Sequence, residues 1–243
     1  TPNPEIAGGD PDKLLEIAPY PGDEDLPFGH DLAERLTLAM PRSDNASATW
    51  WFDGLPHTVV TIQGLRRAPE VGHMTAERQA GDHVFSLFDR FPEHTVMVLT
   101  LTLKPQDVTR NHIAQVKRAA VGDSAEAELT REDAEAVERE MARGNKLYPL
   151  SIAFYLRGEN LKGLRTNVNQ LNALLLPNGL QPILHEADLL ALDSYLRNLP
   201  MAYDVSLDKT RRRSRLVFSR HTANLLPLYG RSKGTGHPGL VFF

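Results

Sequence analysis

The sequence predicts an α+β fold: a mixed sheet with flanking helices, plus a charged helical hairpin. Three observations carry this. Thr95–Leu103 and Leu147–Leu156 are apolar, β-prone runs that read as the clearest strands. Glu159–Leu176 places Leu161, Leu164, Val168, Leu171 and Leu175 at helical spacing. The predicted order, β-β-α-β-αα-β-α-β-α, does not alternate strictly, which disfavours a doubly wound parallel sheet.

From the amino terminus, Asp31–Ala39 carries Leu32 and Leu36 four apart and reads as a short helix stopped by Pro41. Thr49–Phe52 and the β-branched Thr58–Ile62 flank Asp53-Gly54, a turn signal, so together they read as a hairpin. Trp50 and Trp51 then face opposite sides of the sheet, and at least one needs cover. Thr75–Phe91 has Val84, Leu87, Phe88 and Phe91 at helical spacing. In Thr95–Leu103 the alternation puts Thr100 and Thr102 on one face.

Pro105 opens a helix running to about Val121, and Gly122-Asp123 breaks it. Thr130–Asp133 resembles a capping box for a second charged helix ending at Arg143, so residues 105–143 form a helical hairpin on or beside the core. Leu147–Leu156 follows, with Pro149 marking its start or an edge. Pro177-Asn178-Gly179 ends the amphipathic helix. Leu180–Leu184 is a short strand. Asp188–Leu199 is a helix through Leu189, Leu192, Leu196 and Leu199, with Asp188 as its cap. This closing β-α-β-α stretch matches half of a ferredoxin-like unit. Arg215–Ser219 is a last short strand before a Gly- and Pro-rich tail.

Composition excludes several classes. A hydrophobic fraction of 41% with 24% charged residues is ordinary for a globular domain, not a disordered chain. The formal charge of -4 lacks the basic excess of a polyanion binder. There is no cysteine, hence no disulfide framework, thiolate ligand or thiol nucleophile. No run approaches the length of a membrane span. The opening Thr1–Pro11 has no signal-peptide character and reads as linker, and the chain stops on the strand-like Gly239–Phe243. A piece of a longer protein is the expectation.

Chemical motifs are sparse. Gly230–Gly236 is glycine-rich but lacks the Gly-Lys-Ser/Thr of a phosphate loop, and no such loop occurs in the sequence. No Gly-x-Ser-x-Gly elbow is present. His185-Glu186-Ala187-Asp188 gathers three potential metal ligands, but without the four-residue histidine spacing of a zinc-protease helix. A strand end at His185 and a cap at Asp188 are the favoured reading. His73 and His83 have no partner cluster in sequence. Glu132, Asp133, Glu135, Glu138 and Glu140 read as a solvated acidic face. The one basic run, Lys209 to Arg215, offers Arg211, Arg212, Arg213 and Arg215 as candidate nucleic-acid contacts, with Arg220 just beyond. It lacks interleaved aromatics, and a solvated linker is the competing reading.

Asn224-Leu-Leu-Pro227 and Gly234-Thr-Gly-His-Pro-Gly239 resemble the stretch just ahead of the nucleotide-binding domain in conjugative transfer ATPases. These are the TraC-like type IV secretion ATPases of integrating conjugative elements. Phe28–Arg35 through Trp50-Trp51-Phe52 is similar to the same family's upstream region. The resemblance implies that residues 1–22 are a linker and residues 23–210 an N-terminal docking and assembly domain. Residues 211–243 become a linker and the first strand of an ATPase domain. It implies a chain with no catalysis and no cofactor of its own, ATP and Mg²⁺ being expected in the parent. It also implies docking on inner-membrane subunits of a secretion channel, homo-oligomers formed by the full-length protein, a cytoplasmic location at the inner membrane, and DNA as a further possible partner. Walker A and Walker B are not in the sequence, so no catalytic residue carries over.

Overall fold

Asp53 and Gly54 both take positive φ, 51° and 80°, the turn that matches the twist of a two-residue hairpin. It joins β2 (Thr49–Phe52) to β3 (Leu55–Leu65) as the sequence predicts, and β1 (Arg42–Asp44) adds outside β2. The computed structural model describes residues 40–199 and 202–227. The predicted linker 1–22, the helix Asp31–Ala39, the Gly230–Gly236 turn and the run Gly239–Phe243 lie outside the described residues.

The α+β class holds, but every strand pairing among the described residues is antiparallel where a mixed sheet was expected. The central strand is β7 (Leu147–Arg157), with β3 on one side and β6 (Val96–Leu101) on the other. Two short strands fill in where longer partners run out. β8 (Leu180–Pro182) pairs the far end of β3 past an irregularity between Ile62 and Gly64, and β9 (Arg215–Phe218) pairs the start of β7. Because β3 is antiparallel to both β7 and β8, those two strands are parallel with β3 between them. The segment read as half of a ferredoxin-like unit is therefore a split β-α-β, its crossover being α3 (Leu161–Leu175).

Pro149 is not at an edge. It pairs with Leu216 on one side, and on the other its carbonyl accepts from the Thr102 N–H at 2.9 Å. The return bond would need an N–H that proline lacks, which explains why β6 stops at Leu101. Two residues earlier the Gln106 side chain takes over. Its amide donates to the Leu147 carbonyl at 3.2 Å and accepts from the Leu147 N–H at 3.0 Å, standing in for the missing strand.

The helix predicted over Thr75–Phe91 does not form. Gly81, at φ 61°, closes a small hairpin of β4 (Arg78–Ala80) and β5 (His83–Phe85), and a 3-10 turn at Phe88–Arg90 follows. Leu87 is buried and Phe88 and Phe91 pack on the core, so the helical spacing marked core residues on irregular backbone. The two charged helices do form, as α1 (Gln106–Ala119) and α2 (Ala125–Ala142), and they pack on each other. The second starts five residues before the predicted cap. Ser124 accepts from the Ala127 N–H, while Thr130 sits inside the helix and donates back to the Glu126 carbonyl. Lys117 bridges Glu135 and Glu138 at 3.2 and 3.0 Å, tying α1 to the acidic face of α2.

The main core lies between one sheet face and α3. Val60, Ile62, Ile152, Phe154 and Leu156 meet Leu164, Val168, Leu171 and Leu175, all buried. Each such side chain contributes roughly 1.5–3 kcal/mol. The short strand predicted over Arg215–Ser219 forms, within a stretch that is otherwise structured as well. Arg211 ends α5 (Val205–Arg211), β9 joins the sheet, α6 (Ser219–Leu225) follows, and Val217 and Leu225 enter the main core.

Candidate docking site

The second sheet face is built from small and polar groups. Thr61, Ser151 and Ala153 are almost fully buried there beside Val59. Over them lies α4 (Ala191–Arg197), within the predicted Asp188–Leu199 helix but shorter than it and turned the other way. Ala191, Ser194, Tyr195 and the following Asn198 face the sheet. Of the four leucines the predicted helix runs through, three are exposed: Leu189 at 96%, Leu196 at 40% and Leu199 at 37%.

Specific contacts impose this rotation. Trp50 donates its indole N–H to the Leu192 carbonyl at 3.0 Å, and Tyr155 donates to the Tyr195 carbonyl at 2.5 Å. Tyr195 stacks on Phe52 at 5.8 Å and meets Tyr155 edge-on at 4.8 Å, so the small patch around Ala153 is filled by one large ring. Ser151 donates to the Asn198 amide oxygen at 3.3 Å, and Asn198 donates back to the Ser194 carbonyl. Burial pushes the Tyr195 hydroxyl up to about 12, keeping it protonated, and Tyr155 is raised as well by burial and by the neighbouring Tyr195. Trp51, on the opposite face, is covered by the Arg42 guanidinium 4.6 Å from its ring.

Charge fastens the same element from its outer side. Arg213 is ion-paired with Asp188, and both side chains are largely buried. Arg211 reaches Asp193 at 2.7 Å, and Arg197 reaches it at 3.6 Å. Asp188 is thus no simple helix cap: it accepts from the Leu190 N–H while pairing with Arg213. Of the four arginines read as nucleic-acid contacts, Arg211 and Arg213 are turned into these carboxylates. Arg212 occupies the left-handed region at φ 54° and ends α5, and Arg215 bonds the Arg212 and Ser214 carbonyls. Arg220 pairs with Glu140 at 3.1 Å.

A cleft of about 630 Å³ opens beside the leucines. Its walls are the Asn45–Thr49 turn, one side of α3 from Leu161 to Asn169, and the segment His185–Leu192. The turn is shaped by Asp44, which accepts from the Ala46 N–H and the Ser47 hydroxyl. His185, at the head of a 3-10 turn rather than a strand end, donates through Nε2 to the Ser47 carbonyl at 3.0 Å. With His185 bonded to backbone and Asp188 bonded to Arg213, this segment does not gather ligands on one point. No cluster of three His, Asp or Glu able to hold a metal occurs among the described residues. His73 is buried elsewhere, donating to the Asn178 carbonyl at 2.9 Å.

Leu161, Leu164, Leu189, Leu192 and Val168 are among the apolar residues lining the cleft, with Arg165 beside them. Periodicity found the leucine stripe, but the cleft joins segments far apart in the sequence and left no local signal. No helix among the described residues is long and apolar enough to cross a membrane. A family model described as "TraC protein" matches residues 1–203. No curated protein matches the chain.

Proposed function

The chain belongs to the TraC protein family of type IV conjugative transfer, and we propose that it is the non-catalytic N-terminal region of a transfer ATPase, docking that motor on its secretion channel. The observation that carries this reading is the set of exposed leucines on and flanking α4, Leu189, Leu196 and Leu199, beside an open cleft. A helix that hydrogen-bonds its small and polar side to the sheet and leaves leucines in water has a surface suited to a partner. The partners are inner-membrane subunits of the channel, so the motor works at the cytoplasmic side of that membrane, and the same region aids subunit assembly. ATP and Mg²⁺ belong to the P-loop domain of the parent, since the sequence holds no Gly-x-x-x-x-Gly-Lys-Ser/Thr from which a residue here could hold them.

The test replaces Leu189, Leu196 and Leu199 by Ser in the full-length protein. Conjugation frequency falls by about tenfold or more, as loss of an apolar anchor cluster predicts. ATP hydrolysis by the purified protein and the circular dichroism of the variant chain stay as before. Unchanged transfer, or ATP turnover by residues 1–243 alone, removes the proposal.

A further inference from the structure

The two outer edges of the sheet are built differently. β1 is three residues long, carries Arg42 and Asp44, and follows Pro41, the features that blunt an edge against pairing. β6, at the opposite edge, reads Val-Met-Val-Leu-Thr-Leu, and no charged residue or proline occurs from Thr95 to Leu103. Among the described residues β7 is its sole strand partner.

Which backbone groups are open follows from the ladder. Thr102 bonds across to Pro149, so the alternation of an antiparallel pair directs Thr100, Val98 and Val96 toward β7 as well. The N–H and C=O groups of Met97, Leu99 and Leu101 therefore face away from the sheet, where no described backbone group meets them. An extended backbone is the ligand that satisfies such a row. The flanks choose which one. Glu93, its side chain 91% exposed, stands at one end of the uncharged run and Lys104 at the other. A second copy running antiparallel brings each Glu93 end to the other's Lys104 end, and its apolar alternation complements itself.

We propose that β6 is a self-pairing edge through which two copies of this chain join antiparallel about Leu99, forming one continuous sheet. The register follows from the ladder. Leu99 opposes Leu99 of the second copy and Met97 opposes Leu101, each pair exchanging both backbone bonds. Any shift by one residue would set an outward group against an inward one. This goes beyond the docking role of α4, which lies on other elements, so either reading can fail alone.

Sedimentation equilibrium of residues 1–243 tests it, with a monomer–dimer equilibrium expected. Val96→Lys with Thr100→Lys puts charge on the edge and raises the dimer dissociation constant roughly tenfold or more, with the circular dichroism spectrum unchanged. The chain has no cysteine, so Leu99→Cys supplies a lone thiol. Its partner Cα lies about 5.5 Å away in the proposed register, within disulfide reach, and mild oxidation gives a covalent dimer. Ser43→Cys on the blunt β1 edge gives no covalent dimer under the same oxidation. A monomer at every concentration, a dimer indifferent to the lysines, or a Leu99→Cys chain that does not cross-link overturns the proposal.

Discussion

Single residues show most clearly why some of this fold is legible and some is not. Asp53-Gly54 announces its turn because two adjacent residues suffice to make it. Arg213 gives no such notice: its partner Asp188 is 25 residues away, so a basic run that reads as free cations is half committed to ion pairs. His73 is the same case for a neutral group. Its ring lies against Asn178, its backbone N–H donates to the Asn224 carbonyl, and Arg78 holds both the His73 carbonyl and the Asn178 side chain. Burial holds its pKa below the ordinary histidine value; the bond to Asn178 works against this, Arg78 and Arg67 add to it, and Glu70 opposes it. The folded protein then refuses a proton that the unfolded chain accepts. Stability is complete above the unfolded histidine value and drains as pH falls through it toward the lower folded value. The thermal midpoint should drop on going from about pH 7 to about pH 5, and His73→Gln should shrink that drop. His57 and His221, also lowered by burial, keep it from vanishing. A variant whose midpoint falls as far as the parent's would clear His73 of the effect.

At the scale of elements, period tells which residues align but not which way they face. Leu161, Leu164, Val168, Leu171 and Leu175 predicted α3 correctly because the sheet face beneath it is equally apolar. Leu189, Leu192, Leu196 and Leu199 have the same regularity, yet Leu189, Leu196 and Leu199 are left exposed because Thr61, Ser151 and Ala153 offer space for Tyr195 and Ser151 a hydrogen bond for Asn198. The spacing in Thr75–Phe91 failed because Gly81 prefers the left-handed turn of a hairpin to a helix interior. One close contact sets how α3 starts. Gly158 donates to the Pro56 carbonyl at 3.0 Å, and a Cβ placed on it would sit 2.5 Å from the Leu164 backbone nitrogen. Backbone cannot swing aside as a side-chain tip can. Gly158→Ala should therefore cost about 1–3 kcal/mol by lifting the first turn of α3 off the sheet, read as a lower urea midpoint at constant m-value. A midpoint equal to that of the parent would mean the helix start yields freely.

For the whole molecule, the question is where the folded unit stops. The family resemblance implies a boundary at Arg211, with residues 211–243 a linker and the first strand of a further domain. The sheet treats that segment differently: β9 pairs the first residues of β7, Val217 and Leu225 fill the main core, and Arg213 neutralises the buried Asp188. Removing it would strand one side of β7, open the core and leave a carboxylate buried without its cation, a defect that alone costs about 3–5 kcal/mol. That sum approaches the full stability of an ordinary domain, about 5–15 kcal/mol. Residues 1–227 should accordingly unfold in one cooperative transition, while residues 1–210 should lose that transition or show it far lower in temperature. Limited proteolysis offers a second readout, with the shorter chain cut rapidly within β7 and α3. Equal melting of the two chains would restore the boundary at Arg211 and make β9 a visitor to this sheet rather than a part of it.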